Sequence, residues 1–222
     1  MIRRLRAHLL IDVRCGLRIL SGERYRDGYR IHLETPQGAK NLDADVVVNC
    51  SWEERARLDA TVAVTASKDL CYRIKHRALV KPRGDLSAFV PVTMVQGPYG
   101  DLVPLKDGLI YLSWYPECRT YFGSEVPAHP GKDEADAVAA RALAAMTAMF
   151  PALEGAEIVF AGGCIIVAKG ATDVGDASSG LHERRCCGPS AQQGWWTIDN
   201  GKFTTAPLNA ELTTAAQIVE YG

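Results

Sequence analysis

The stretch LDADVVVNCSW, residues 42–52, limits the fold more than any other. Val46, Val47 and Val48 are consecutive. A strand with one wet face alternates apolar and polar residues. Three valines in a row predict a strand covered on both faces, the habit of parallel sheets. The run ends in Asn49, Cys50 and Ser51, small or polar groups at a strand's C-terminal end. In open α/β sheets ligands sit at that edge. The same residues also suit an ordinary buried strand running into a turn, and local sequence leaves both readings open.

The neighbouring segments have another character. Residues 16–35, GLRILSGERYRDGYRIHLET, set Tyr29, Ile31 and Leu33 against polar neighbours, with Asp27-Gly28 between two such runs, which predicts an antiparallel hairpin. From Cys71 onward, CYRIKHRALV, SAFVPVTMVQGPYG and DLVPLKDGLIYLSWYP read as three or four antiparallel strands, with another hairpin at Asp107-Gly108. Tyr111, Trp114 and Tyr115 crowd the end of the last one, a cluster able to wall a flat ligand or simply to pack.

Lys132 to Phe150 is predicted helical. Asp133, Glu134 and Asp136 complement the dipole of its first turn, Val138, Ala142, Met146 and Met149 share a face, and Pro151 stops it. A strand is expected over 156–169. Residues 170–197 lack clear periodicity, and so long a stretch in a compact domain is usually a functional loop or a disordered one. The adjacent Trp195 and Trp196 argue against disorder. The final segment places Leu208, Leu212, Ala215 and Val219 along one face of a predicted amphipathic helix, with Pro207 at its first position and Thr204 and Thr205 as candidate caps.

Bulk properties exclude several classes. A net charge of -1 gives no global field for nucleic acid or an anionic membrane, and the early Arg3, Arg4 and Arg6 are explained by a solvated terminus. No apolar run approaches the length of a membrane helix, and HLLIDV is too short for a signal peptide. Seven cysteines without a CxxC pair suit a reducing compartment, so a soluble cytoplasmic protein is expected. His182, Cys186, Cys187 and Asp176 have the spacing of no common metal site, and no GxSxG motif is present.

The turn DNGKFTTAPL carries the chemistry. A helix start presents unpaired N–H groups and a partial positive charge, and Gly201 lets backbone approach a ligand, so the turn is built like an anion or carbonyl site. A well-capped helix with no ligand explains the same residues. In the preceding loop Arg184 and Arg185 are candidates for a substrate carboxylate, with Arg73 and Arg77 as rivals, and His182 is a candidate base.

The order of these parts resembles the C-terminal portion of flavin-dependent oxidoreductases of the D-amino-acid-oxidase-like superfamily. LHERR, GWWTIDNGKFTTAP and GDLVPLKDGLIYLSWYP look like late segments of that family. The resemblance implies an α+β fold: an antiparallel substrate-domain sheet with packed helices, plus the remaining part of a Rossmann-like FAD-binding domain. By that resemblance residues 1–66 are the remnant of the FAD-binding domain, 67–165 the antiparallel substrate-binding domain, and 166–222 the loop and helix returning to the FAD-binding domain. Gly201, Lys202, Phe203, Thr204 and Thr205 would lie against the flavin ring, and Asn49 and Ser51 near the cofactor's phosphate or ribose. Tyr111, Trp114 and Tyr115 would line the substrate pocket, and His182, Arg184 and Arg185 would act on the substrate.

Two features depart from the family pattern. No GxGxxG phosphate motif occurs in the chain, and AGGCIIVAKG stands where the family's usual arginine motif is expected. The expectation is therefore an FAD-dependent oxidoreductase acting on a small C–N or C–O substrate, present as a fragment or as one part of a split enzyme. It would be completed by an N-terminal FAD-binding partner chain or by a homo-oligomer. The other expectation is a non-catalytic binding or interaction module that keeps only the substrate domain.

Overall fold

The computed structural model describes residues 2–65, 70–95, 97–169, 187–199 and 205–221. The fold is α+β. The chain divides into two compact units, one made of Met1–Ser67 with Cys186–Gly222, the other of Lys68–Arg185.

The first unit opens with a short helix α1 (Ile2–Arg6) and an antiparallel meander of β1 (Arg18–Tyr25), β2 (Gly28–Thr35) and β3 (Gly38–Ala44). The predicted hairpin is present, with its turn one residue early. Arg26 takes the left-handed conformation at φ 53°, and Gly28 already belongs to β2. Glycine is required there, because a Cβ would stand 2.3 Å from the Ala44 carbonyl oxygen. β2 turns Tyr29, Ile31 and Leu33 inward, as the alternation predicts.

β4 (Val47–Asn49) and helix α2 (Arg55–Thr61) follow. β4 runs parallel to a strand from the far end of the chain, with Val47 beside Trp195 and Asn49 beside Thr197. The parallel pairing matches the triple-valine run, but its two-sided burial does not hold. In the three-stranded sheet β4 is an edge strand, and Val48 is 44% exposed.

The second unit is one six-stranded sheet with a helix on one face. Its strands are β5 (Leu70–Lys81), β6 (Val92–Met94), β7 (Gly100–Pro104), β8 (Ile110–Trp114), β9 (Arg119–Gly123) and β10 (Glu157–Lys169). The turn α3 (Tyr115–Cys118) separates β8 from β9, and α4 (Lys132–Met149) is the long helix. β5 pairs along its length with β10; its other edge takes β8 against residues 78–80 and β9 against residues 72–75. Ala78 and Val80 of β5 join the core beneath α4, where Val80, Ile110, Leu112, Ala142 and Met146 are fully enclosed. Val138, Ala142 and Met146 form the predicted buried helix face, whereas Met149 lies past the end of that core and is 41% exposed.

Returning to the first unit, β11 (Gly188–Gln192) pairs antiparallel with β12 (Trp195–Asp199), and α5 (Ala206–Tyr221) ends the chain. The α5 helix is as expected but its stripe is not. Leu208 and Leu212 are about half exposed and Ala215 is exposed, while Asn209 and Thr213 are buried. Thr213 satisfies its hydroxyl by donating to the Asn209 carbonyl at 2.7 Å, which lets a polar face turn inward. The side chain of Val219 lies outside the described residues.

Candidate functional site

The first unit gathers polar groups where β4 and β12 end. Asp59, from α2, is buried, and one of its carboxylate oxygens accepts three bonds of 2.8 Å, from Asn49 Nδ2, Trp195 Nε1 and Thr197 Oγ1. Arg55, one helical turn earlier, donates to the Ile198 carbonyl at 3.2 Å and to Asp199 at 3.3 Å. Two strands separated in sequence by the whole of the second unit are thus clamped side by side by one short helix. Arg55 and Asp59 were not singled out from sequence. Their only signal was the i,i+4 spacing of opposite charges in a segment too short to show helical periodicity.

Asn49 is spent on this clamp. Its Nδ2 donates to Asp59 and to the Arg55 carbonyl at 3.1 Å, and its Oδ1 accepts from the Ser51 backbone N–H at 3.2 Å and the Ser51 hydroxyl at 2.5 Å. Asn49 therefore fixes Ser51, and the Ser51 oxygen keeps a lone pair for an incoming donor.

Beside β4 lies an open cavity of about 670 Å³, walled by Val46, Val47 and Val48, by Ile31 and Leu33 of the meander, by Asn49, Cys50 and Ser51, and by Asp12 and Arg14, which pair with each other at 2.7 Å. Its volume is in the range of small-molecule sites. Burial pushes the Cys50 thiol up, so it stays protonated at neutral pH. For an FAD, the described residues fit an apolar ring or a ribose or ribityl hydroxyl at Ser51. They hold no cluster of donors for the pyrophosphate.

In the second unit the face of the sheet opposite α4 carries the odd-numbered residues of β5. Arg73 is buried and lies over Phe122 at 4.9 Å. Lys75 is 3.8 Å from Asp101, whose other oxygen accepts from Thr93 at 3.0 Å. Arg77 is exposed, 4.0 Å from Cys164 Sγ. The expected aromatic trio separates. Tyr111 lies on this open face, opposite Leu79 and Val103 across the strands, and Trp114 packs on the α4 side. Tyr115 sits in α3, in edge contact with Tyr99 at 6.4 Å and near Lys75 and Arg119. Burial pushes the Tyr111 phenol up, and the Asp101 charge adds to it. Tyr111 is therefore a hydrogen-bond donor at neutral pH.

His182, Arg184, Arg185, Gly201, Lys202, Phe203 and Thr204 lie outside the described residues. Thr205 is described and immediately precedes α5, as a cap would. Among the described residues no group of three or more histidines, cysteines and carboxylates stands close enough to hold a metal, and no helix is long and apolar enough to cross a membrane.

No family model and no curated protein matches the sequence. Solved structures do match in fold. Glycine oxidase from Geobacillus kaustophilus superposes with a TM-score of 0.61 at 17% identity, over 89% of this chain and 47% of its own. Glycerol-3-phosphate dehydrogenase from Bacillus halodurans, complexed with FAD, gives 0.62 at 16%, over 90% and 38%. L-proline dehydrogenase from P.horikoshii gives 0.59 at 12%, over 90% and 50%. The chain thus spans half or less of the length of the structures it matches.

Proposed function

We propose that this chain, which carries the fold of part of the D-amino-acid-oxidase-like flavoproteins, is the substrate-binding portion and part of the cofactor pocket of an FAD-dependent oxidoreductase. FAD would supply the hydride acceptor for oxidation of a C–N or C–O bond in a small molecule. The observation that carries this reading is the joint match of both units, meander with parallel β4–β12 pair and six-stranded sheet, to oxidoreductase structures over 89–90% of the chain.

In this reading Ser51, held by Asn49, accepts a ribose or ribityl hydroxyl. Gly201 to Thr205 and the N–H groups at the start of α5 stabilise negative charge on the cofactor ring. Tyr111 and Tyr115 wall the substrate, Trp114 supports them from the core side, Arg184 and Arg185 hold substrate charge, and His182 accepts a proton. The pyrophosphate is gripped by an N-terminal FAD-binding chain or by a second copy. The free thiols of Cys15, Cys50, Cys118 and Cys164 support assignment to the reducing cytoplasm.

The test is a visible spectrum of the purified protein with FAD added, alone and together with any polypeptide encoded immediately upstream. Flavin absorbance that stays with the protein through gel filtration is expected in the combined sample. Free FAD in both samples sinks the reading. A second reading, a non-catalytic interaction module, is favoured by the missing phosphate cradle among the described residues. It gains if deleting the chain leaves flavin turnover in its host unchanged while a stable partner co-purifies.

A further inference from the structure

We infer that two copies of this chain pair by exchanging their arms ahead of β1, the leucines of each arm entering the trough beside β4 of the other copy. The arm, residues 8–14, is apolar and uncovered. Leu9 is 100% exposed, Leu10 90%, Ile11 40% and Val13 41%. A turn holds the two leucines outward, with the Leu10 N–H donating to His8 Nδ1 at 3.3 Å and the Ile11 N–H donating to the His8 carbonyl at 3.1 Å. One exposed leucine is ordinary, whereas this cluster is a surface that lacks its cover. The trough has the matching face. Ile19, Leu42 and Val48 stand open to water along it, above the buried Ile31, Leu33 and Trp195. The edge of β4 is open as well. The Val47 N–H donates to the Gly194 carbonyl at 3.0 Å, so strand alternation turns the Val48 N–H and C=O to the other side, where no described strand pairs with them. Residues 11–15 belong to no helix or strand, and their backbone is free to extend that edge.

Geometry and charge choose a second copy as the occupant. Asp12 and Arg14 line the trough and are more than half exposed at its rim, while Leu9 and Leu10 do not line it. Arm and trough of one chain therefore stand side by side without meeting. A two-fold axis at the rim lays each arm on the other copy's trough, and every contact is made twice. The arm is preceded by Arg3, Arg4 and Arg6. The strand it meets is flanked by Asp43 and Asp45 before it and by Glu53 and Glu54 after it, with Arg30 paired to Asp43 and Arg57 to Glu54. A basic arm and an acidic rim attract between copies and steer the pairing. This pairing goes beyond the flavoenzyme reading and does not depend on it. A copy paired in this way has no free β4 edge to offer to another chain.

Sedimentation velocity of the whole chain over a concentration series, without FAD, tests this. A monomer–dimer midpoint at about 10 μM is expected. Leu10→Asp and Val48→Asp, both at exposed positions, should each raise it about tenfold or more, while Val126→Asp, 44% exposed in the second unit, leaves it unchanged. An equimolar mixture of the Leu10→Asp and Val48→Asp chains keeps one intact arm facing one intact trough. It should dimerise at concentrations where each variant alone is monomeric, and a mixture that stays monomeric overturns the exchange. A parent chain that is monomeric up to about 200 μM, or a dimer that neither substitution weakens, overturns it too. A monomer that pellets with phosphatidylserine vesicles overturns it in favour of a membrane surface for the arm. A monomer whose melting temperature falls in Leu10→Asp overturns it in favour of the arm's own trough. The series contains no flavin, so its outcome and that of the FAD test are read separately.

Discussion

The two units solve the same packing problem to different degrees. In the second, a six-stranded sheet lays one face against α4, and Leu112, Ala142 and Met146 are completely enclosed. In the first, the three-stranded sheet ends at β4, whose outer edge has no described neighbour and whose Val48 is 44% exposed. Its cohesion comes instead from the Asp59 and Arg55 clamp and from Trp195 packed edge-on against Tyr29 at 5.2 Å. The second unit is held mainly by apolar area, whereas the first adds a few directional bonds to a smaller core of Tyr29, Ile31, Leu33, Leu58 and Trp195. Apolar cores lose stability in increments, whereas a shared buried acceptor fails all at once.

The largest effect should therefore come from the smallest deletion. Asp59→Ala leaves the buried Trp195 and Thr197 donors without an acceptor and Asn49 with only the Arg55 carbonyl, a loss of about 4 kcal/mol, read by urea unfolding followed through tryptophan fluorescence. A loss under about 1 kcal/mol would mean that the clamp is incidental. Met146→Ala opens a cavity in the second unit and should lower its stability by about 3 kcal/mol in a thermal melt, without moving the Asp59-dependent transition.

Val48→Lys should change the isolated chain by less than about 0.5 kcal/mol, because the side chain is half in water. If a second polypeptide completes the sheet beside β4, the same substitution abolishes their association in a pull-down, and that contrast locates the missing neighbour. The mildest probe is alkylation. Cys15 and Cys50 are both exposed, and Cys15 should react first because partial desolvation pushes the Cys50 thiol up; Cys118 should react last, since it is enclosed and its thiol is pushed up by burial too. Peptide mapping by mass spectrometry gives the order, and Cys118 reacting as fast as Cys15 would show that the second unit opens readily.

Much of this was legible in the sequence, for reasons specific to each element. Alternation in Tyr29, Ile31 and Leu33 and the spacing of Val138, Ala142 and Met146 report burial directly, because each element meets the core with one face. The valine run reported a parallel strand and overstated its burial, since two-sided covering depends on strands the local residues do not contain. The α5 stripe misled because a hydroxyl that satisfies itself within a helix, as Thr213 does, can face inward, while the leucines lie outside. The aromatic trio looked like one wall because adjacency in sequence hides the two faces of a strand and the turn at α3. The clamp was invisible because its bonds join residues up to 144 positions apart.

That separation also bears on how the chain is made. Lys68–Arg185 is continuous, so the second unit has all its contacts once that stretch leaves the ribosome. The meander, β4 and α2 emerge earlier, yet their shared strand β12 is synthesised only after the whole second unit. Translation therefore holds the N-terminal portion waiting with Asp59 and the valines unmatched while the later-born unit closes first. The waiting segment keeps its apolar residues exposed during synthesis, and slowing translation lengthens that exposure.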